Sequence, residues 1–342
     1  MTRRRPIVRR TALAGLLLAG LSAAGASRAQ STVSLYGLVD VTAGRFQNAG
    51  GLKVTRLDAN GMSQSYLGLR IIEDLGAGLR ARVQLESYLR PDVGAVGRFP
   101  ADPFWGRSAS IGFQGAFGTS LIGRNPTPLY QSTVLLNPFG DSFAFSPTMR
   151  QYYGQSVSGD IAWNNSLAYT SPDYNGVSFG LIGNLGEGAA GATGRNVGAN
   201  IVYLRGPLAA TAAWQQVRNG LLTAPTGFYH QTTLHLGMAY DFGPAKLFGQ
   251  FGRVRTDADQ QGTARIYQLG SVVPIGQGLV RVSYGLREAE LGGAADVHHK
   301  TLSLGYDHFL SKSTDIYGAV VLDRIEGLSS GRSLAAGMRV RF

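Results

Sequence analysis

Arg80 and Arg82 stand two residues apart and are followed at the same interval by Gln84 and Glu86, while Leu79, Ala81, Val83 and Leu85 fill the places between them. Side chains of an extended chain alternate sides, so the four polar groups share one face and the four aliphatic ones the other. The same alternation places Arg70 on that polar face. A row of guanidinium groups with one carboxylate contains no nucleophile. Lining a water-filled passage, it concentrates anions.

Other chemistry is thinner. The chain has no Cys, which excludes disulfides, thiolate metal sites and thiol catalysis. Gly186 to Gly191 fit G-x-G-x-x-G, but the stretch leads into another alternating segment and not a helix, so the phosphate-binding helix N-terminus is missing. The five histidines are His230, His235, His298, His299 and His308. Adjacent His298 and His299 point to opposite faces of a strand and do not readily share a metal. No metal, cofactor or catalytic residue is assigned.

The elements that must hold the arginines repeat along the chain. Leu334, Ala336, Met338, Val340 and Phe342 alternate with Ser333, Ala335, Gly337, Arg339 and Arg341, and Val280, Val282, Tyr284 and Leu286 with Arg281, Ser283, Gly285 and Arg287. Sixteen such segments start near Val33, Met62, Leu79, Trp105, Gly118, Trp163, Gly176, Arg195, Pro207, Tyr229, Pro244, Ala264, Gly278, Val297, Thr314 and Gly331. No helical stretch is read after residue 29. Composition agrees: 48 of 342 residues are Gly, about twice ordinary usage, and charged residues reach 15 % against a typical ~25 %. Such a chain must hide apolar surface without long apolar runs.

The connections alternate in length. Links at 74–78, 115–117, 171–175, 206, 243, 274–277 and 310–313 are tight and rich in Gly, Pro, Asp and Ser, whereas 47–61, 91–104, 126–162, 186–194, 219–228, 257–263, 291–296 and 326–330 are longer. Segregated short turns and long loops on ten-residue strands mark an all-β fold, a 16-stranded antiparallel transmembrane β-barrel. Closure satisfies every backbone polar group in lipid. Tyr36, Phe46, Tyr88, Trp105, Tyr169, Phe179, Tyr240 and Phe309 near strand ends fit interfacial girdles, with several expected to turn inward.

Residues 1–29 read as a signal peptide. Arg3, Arg4, Arg5, Arg9 and Arg10 precede an apolar stretch at 11–26, and Ser27 and Ala29 fit positions −3 and −1 of a cleavage site. Its removal takes six of the 32 basic residues and no acid, leaving 26 basic against 21 acidic side chains, a net charge of +5. The basic balance of the precursor therefore gives little support to a nucleic-acid partner.

Val33-Ser34-Leu35-Tyr36-Gly37-Leu38-Val39-Asp40 resembles the first strand of the general porins of Gram-negative bacteria. Leu67-Gly68-Leu69-Arg70, Glu73-Asp74-Leu75-Gly76, Gly118-Thr119-Ser120-Leu121-Ile122-Gly123-Arg124, Tyr169-Thr170-Ser171-Pro172, Tyr240-Asp241-Phe242-Gly243, Gly305-Tyr306-Asp307 and the final Phe342 continue the likeness along residues 30–342. The resemblance implies a homotrimer of barrels in outer-membrane lipid and lipopolysaccharide, with Phe342 read by the barrel-assembly machinery. Small residues of the first strands, Gly37, Ala43, Ala109 and Gly112, are the expected places of close wall packing in that trimer. The likeness also implies passive flow of small hydrophilic solutes and ions, without a cofactor.

The resemblance further implies that the 37-residue loop 126–162 is the third loop, folded inward, its acids facing wall arginines across a constriction. Matching positions are Arg107 and Arg124, with Glu86 on the neighbouring wall. Two positions depart: the wall arginine before Leu-Gly-Leu is Tyr66, and the loop acid before Phe-Gly is Pro138, leaving Asp141. The expected constriction is therefore Arg70, Arg80, Arg82, Glu86, Arg107, Arg124 and Asp141, with a weak anion preference. The alternatives are a substrate-specific channel with a saturable site and, third, a barrel hydrolase, for which no Ser or His set can be picked out.

Overall fold

The computed structural model describes residues 31–185, 195–218, 227–293 and 296–342. The expected signal peptide and the G-x-G-x-x-G stretch lie outside the described residues.

Among the described residues, eighteen strands form one antiparallel sheet that closes on itself. Sixteen build the wall: β1 (Thr32–Phe46), β3 (Tyr66–Gly76), β4 (Leu79–Arg90), β6 (Ser108–Gly115), β7 (Gly118–Pro126), β8 (Ala162–Thr170), β9 (Val177–Asn184), β10 (Val197–Arg205), β11 (Leu208–Val217), β12 (His230–Asp241), β13 (Lys246–Asp257), β14 (Gly262–Ile275), β15 (Gly278–Leu291), β16 (Val297–Phe309), β17 (Thr314–Ile325) and β18 (Gly331–Arg341). β1 pairs with β18 from Leu38↔Arg341 to Arg45↔Leu334, and this joins the two chain ends. Phe342 completes the seam: Gly37 N donates to Phe342 O at 2.9 Å and Phe342 N to Gly37 O at 3.1 Å.

Two short strands lie in links expected to be plain loops. β2 (Val54–Ala59) pairs with the far half of β1, and β5 (Ala95–Val96) with the end of β4. The wall strand expected near Met62 starts at Tyr66 because residues 61–63 fold over Asp40, whose carboxylate accepts from Met62 N at 2.9 Å and Ser63 N at 2.8 Å. The one expected near Trp105 starts at Ser108.

Alternation follows the two solvents. On β12, Leu234, Leu236, Met238 and Tyr240 are exposed outward, where lipid accepts them, while Gln231, Thr233, His235 and Ala239 are buried inward. Phe179 and Tyr240 are exposed with the outward set. Tyr88 is buried, and Phe46 packs inside against the cluster around Phe139 and Phe145. Adjacent His298 and His299 do part: His299 is fully buried while His298 is half-exposed and meets Glu326 at 2.9 Å.

The reading of no helix after residue 29 is corrected. The third loop contains α1 (Pro128–Leu135) and α2 (Pro147–Tyr152). Thr127 and Ser146 cap them, accepting from Tyr130 N at 3.1 Å and Met149 N at 3.2 Å, and Pro128 and Pro147 follow at the first helical position. Both helices are buried inside the barrel, so neither has the one-sided apolar stripe that marks a surface helix.

Candidate functional site: the interior of the barrel

The third loop packs against the wall on several sides. Leu136 packs on Ala209, Ala239 and Phe248; Leu129 and Tyr152 on Ala213, Val254 and Ile266; Phe139 and Phe145 on Ala319, Val321 and Ala335. Fully burying such a side chain is worth about 1.5–3 kcal/mol, and Leu129, Leu136, Phe139, Phe145, Met149 and Tyr152 are all within 1 % of complete burial. The loop is therefore a packed part of the barrel interior and not a free segment.

Glycines on successive strands make the seat. A Cβ on Gly237 of β12 would lie 2.8 Å from Leu136, on Gly270 of β14 2.5 Å from Pro138, on Gly285 of β15 2.7 Å from Pro147, and on Gly305 of β16 3.0 Å from Phe139. On Gly252 of β13 it would collide with the Tyr152 hydroxyl. These five glycines thus clear a trough for the loop.

The loop is also tied by charge. Arg150 of α2 meets Asp323 of β17 at 2.9 Å, and the second oxygen of that carboxylate lies 2.6 Å from His299 Nε2. Near its end, Asp160 bonds to both Arg98 and Arg124. Arg98 also reaches Asp102 at 2.9 Å, so links 91–107 and 127–161 are clasped together. Burial alone would raise the Asp160 carboxyl; the hydrogen bonds and charges of Arg98 and Arg124 outweigh it and hold the group below its ordinary value.

On β1, β3 and β4, where Tyr88 packs with Tyr130, Met149 and Ile161 of the loop, the inner face carries a polar ladder. Arg107 meets Glu86 at 3.0 Å and lies over the Tyr66 and Tyr88 rings, 4.3 and 5.5 Å from their centroids. Glu86 also accepts from Tyr36 Oη at 2.6 Å and Gln84 Nε2 at 2.9 Å, and Gln84 in turn accepts from Arg82 at 2.6 Å. Arg70 lies 4.8 Å over the Tyr36 ring. The three cations Arg70, Arg82 and Arg107 against the single Glu86 leave a net charge of +2 on this connected set.

Asp141 reaches over from the loop, its carboxylate 3.5 Å from Gln64 N. Burial pushes its carboxyl up from the ordinary value, against the pull of Arg107. Arg80 is on the same inward register as Arg82 but exposed beside the turn at 77–78. Arg124 is not brought into the ladder. It is buried and bonded to Gly106 O, Ala162 O, Asn164 and Asp160. The register shift between Gly123 and Asn125, with Gly123 at φ 126°, takes it off the alternation.

Residues that the sequence reading did not assign complete the interior. Arg281 bonds Asp307 at 2.8 Å and Pro138 O, and Arg339 and Arg341 bond Asp315 at 2.9 and 2.8 Å. At the position of the missing loop acid, the backbone carbonyl of Pro138 is thus held by a wall arginine. Inward alternation of Arg281, Arg339 and Arg341 was the available signal. Among the described residues, no three His, Asp or Glu side chains gather as a metal-holding group.

A family model described as Gram-negative porin matches residues 12–327. The chain is 32 % identical over 315 residues to outer membrane porin protein 32 of Delftia acidovorans, covering 89 % of this chain and 87 % of that one. It is 28 % identical, over an alignment of 397 residues, to an outer membrane porin protein of Bordetella pertussis, covering 98 % of this chain and 99 % of that one. Among solved structures, the anion-selective porin from Comamonas acidovorans superposes with a TM-score of 0.79 at 27 % identity, over 92 % of this chain and 100 % of that one. OmpT of Vibrio cholerae, at 14 % identity and a TM-score of 0.71 over 91 % of this chain and 98 % of that one, shares the fold.

Proposed function

The chain belongs to the Gram-negative porins of the outer membrane, and from that premise we propose that its water-filled channel passes small hydrophilic solutes and ions by passive diffusion with a weak preference for anions. The observation that carries the preference is the ladder of Arg70, Arg82 and Arg107 with Glu86 as its single acid. Fixed positive charge in a narrow passage raises the local anion concentration, and salt screens it, with a Debye length of ~8 Å at physiological ionic strength. The similar anion-selective porin from Comamonas acidovorans points the same way.

In this reading the constriction lies between the ladder and the loop edge at Asp141. Arg80 guards the short-turn exit, and Arg124 anchors the loop through Asp160. Residues 1–29 are removed on export, giving a mature chain that starts at Gln30. Three barrels associate through the outer face of the first strands, where Ala43 and Ala109 permit close approach, while Gly37 is covered by the Phe342 ring, 2.7 Å from where its Cβ would stand. Gly112 is withdrawn from that set, because it is on the inward register opposite Arg82. Phe342 serves as the signal to the assembly machinery, and outer-leaflet lipopolysaccharide surrounds the long-loop end.

Single-channel recording in a planar bilayer tests diffusion against a saturable site. Conductance rising nearly in proportion to salt supports the open channel. A plateau at moderate concentration would favour the substrate-specific alternative. N-terminal sequencing of outer-membrane material checks the processing site at Gln30.

A further inference from the structure

At the long-loop end the interior opens into a cavity of about 970 Å³, bounded by the first link, by Arg98 and Phe99 of the second, and by the third link from Phe143 to Ile161. Small-molecule sites commonly measure about 300–1,000 Å³. Six charged side chains line it and cancel in pairs: Arg56 meets Asp58 at 2.6 Å, Arg98 meets Asp160 at 2.5 Å, and Arg150 meets Asp323 at 2.9 Å. Three cations and three carboxylates leave no net charge. The ladder of Arg70, Arg82 and Arg107 with Glu86 is not part of this lining.

The uncharged groups of the lining are set to donate. Asn48 has its side-chain oxygen held by Arg150 at 3.0 Å, Asn60 by Ser65 N at 2.5 Å, and Gln155 has its oxygen 2.8 Å from His299 Nδ1. Among the described residues the NH2 end of each of these amides makes no hydrogen bond, and all three residues line the cavity. An amide is planar, so holding its oxygen turns the NH2 end the other way, and the three donors are oriented before any ligand arrives. Asp58 supplies an acceptor, because Arg56 takes only its Oδ2 and leaves Oδ1. Beside them Phe99 is 41 % exposed, with the Arg98 guanidinium 5.3 Å from its centroid.

Donors for hydroxyl oxygens, an acceptor for a hydroxyl proton, an aromatic face and no net charge match one ligand chemistry. We propose that the mouth cavity is a binding site for an uncharged, hydroxyl-rich ring solute, a sugar of one or two rings. Its C–H face, slightly positive, lies on the negative face of Phe99, and its hydroxyl edges bond the amides of Asn48, Asn60 and Gln155 and the free oxygen of Asp58. An anion gains nothing here, since each guanidinium already has its carboxylate and the spare acceptor is itself negative. The proposal rests on the channel reading and adds to diffusion a weak saturable step for one solute class at the outer mouth. Conductance in salt alone tests the channel reading separately.

Single-channel recording with cellobiose tests the site. The ring hydroxyls of this neutral disaccharide are equatorial, which leaves bare C–H faces for an aromatic ring. Wild type is expected to show brief current interruptions whose blocked fraction saturates at about millimolar cellobiose, with a Kd that changes less than about twofold between ~0.1 and ~1 M salt because the ligand carries no charge. Phe99→Ala/Asn48→Ala should bind about tenfold more weakly while keeping the heat-modifiable gel mobility of a folded barrel. Phe104→Ala removes an exposed ring outside the cavity and should bind within about twofold of wild type. Current that only declines as it does in glycerol of equal viscosity would overturn the proposal, as would equal binding by the double variant. Tighter binding of cellobionate than of cellobiose in dilute salt would overturn it too, and would assign the interruptions to the arginine ladder.

Discussion

The guanidinium of Arg107 lies over the ring of Tyr66, 4.3 Å from its centroid. Tyr66 thus carries an arginine on its face. A cation over an aromatic ring keeps its charge, so the wall stays positive at this level. Glu86, 3.0 Å from Arg107, removes only part of that charge.

Arg107→Gln should shift the zero-current potential in a salt gradient toward cations, and Glu86→Gln should shift it toward anions. One unit charge ~8 Å from the ion path in water changes the local level of each ion roughly twofold in opposite senses, and screening at physiological salt brings the change in the permeability ratio to about twofold. The effect should shrink in molar salt, where the Debye length is ~3 Å. Shifts of the same sign in both variants would separate the ladder from selectivity.

Gly285→Leu should unseat the third loop without breaking the barrel, because even a Cβ there meets Pro147 at 2.7 Å and Gln151 at 2.8 Å. Overpacking of this kind costs about 1–3 kcal/mol. The expected record is noisier open-channel current with an altered mean conductance, while the folded protein keeps its gel mobility. Gly249→Ala is the control, since the nearest atom to its Cβ is 3.7 Å away, and its current should match wild type.

Asp160→Asn should loosen the clasp between the second and third links. Removing the carboxylate leaves Arg124 with unbalanced charge in a largely buried place, while Arg98 keeps Asp102 at 2.9 Å, a loss of about 3–5 kcal/mol for a fully buried pair and less here. The pH dependence has a definite sign. The Asp160 carboxyl titrates lower in the folded chain than its ordinary 3.8, so its stabilisation is complete above that value and is lost as pH falls through the lower folded one. Denaturant unfolding should show wild type losing stability at acid pH more steeply than Asp160→Asn.

Deleting Phe342 should slow barrel closure, because its backbone makes two hydrogen bonds with Gly37 at the seam. The fraction of heat-modifiable, folded protein recovered from membranes should fall several-fold. Normal recovery of the truncated chain would show that neither the seam nor an assembly signal depends on it.

The wall was legible because its two surroundings impose opposite demands on alternate residues. Leu234, Leu236 and Met238 against Thr233 and His235 are the same pattern on paper and in space. The loop was less legible. Its helices are surrounded by wall on several sides, so only the Thr127-Pro128 and Ser146-Pro147 caps marked them. Alternation also could not place Arg124, since the bulge at Gly123 interrupts it and Asp160, 36 residues away in the chain, then captures the guanidinium. At Asp40 the delayed start of β3 depends on backbone N–H groups of residues 61–63, which side-chain periodicity does not encode.

The central claim is that the interior charge leaves a weakly anion-preferring channel. Its most direct test is the zero-current potential of the wild-type protein in a planar bilayer separating dilute and concentrated potassium chloride. The account predicts a potential of the sign that chloride flow produces, small at low salt and smaller still as both solutions are made more concentrated. A potential of the potassium sign under the same gradient would contradict it, and would mean that Asp141, and not the Arg70, Arg82 and Arg107 ladder, sets the field in the passage.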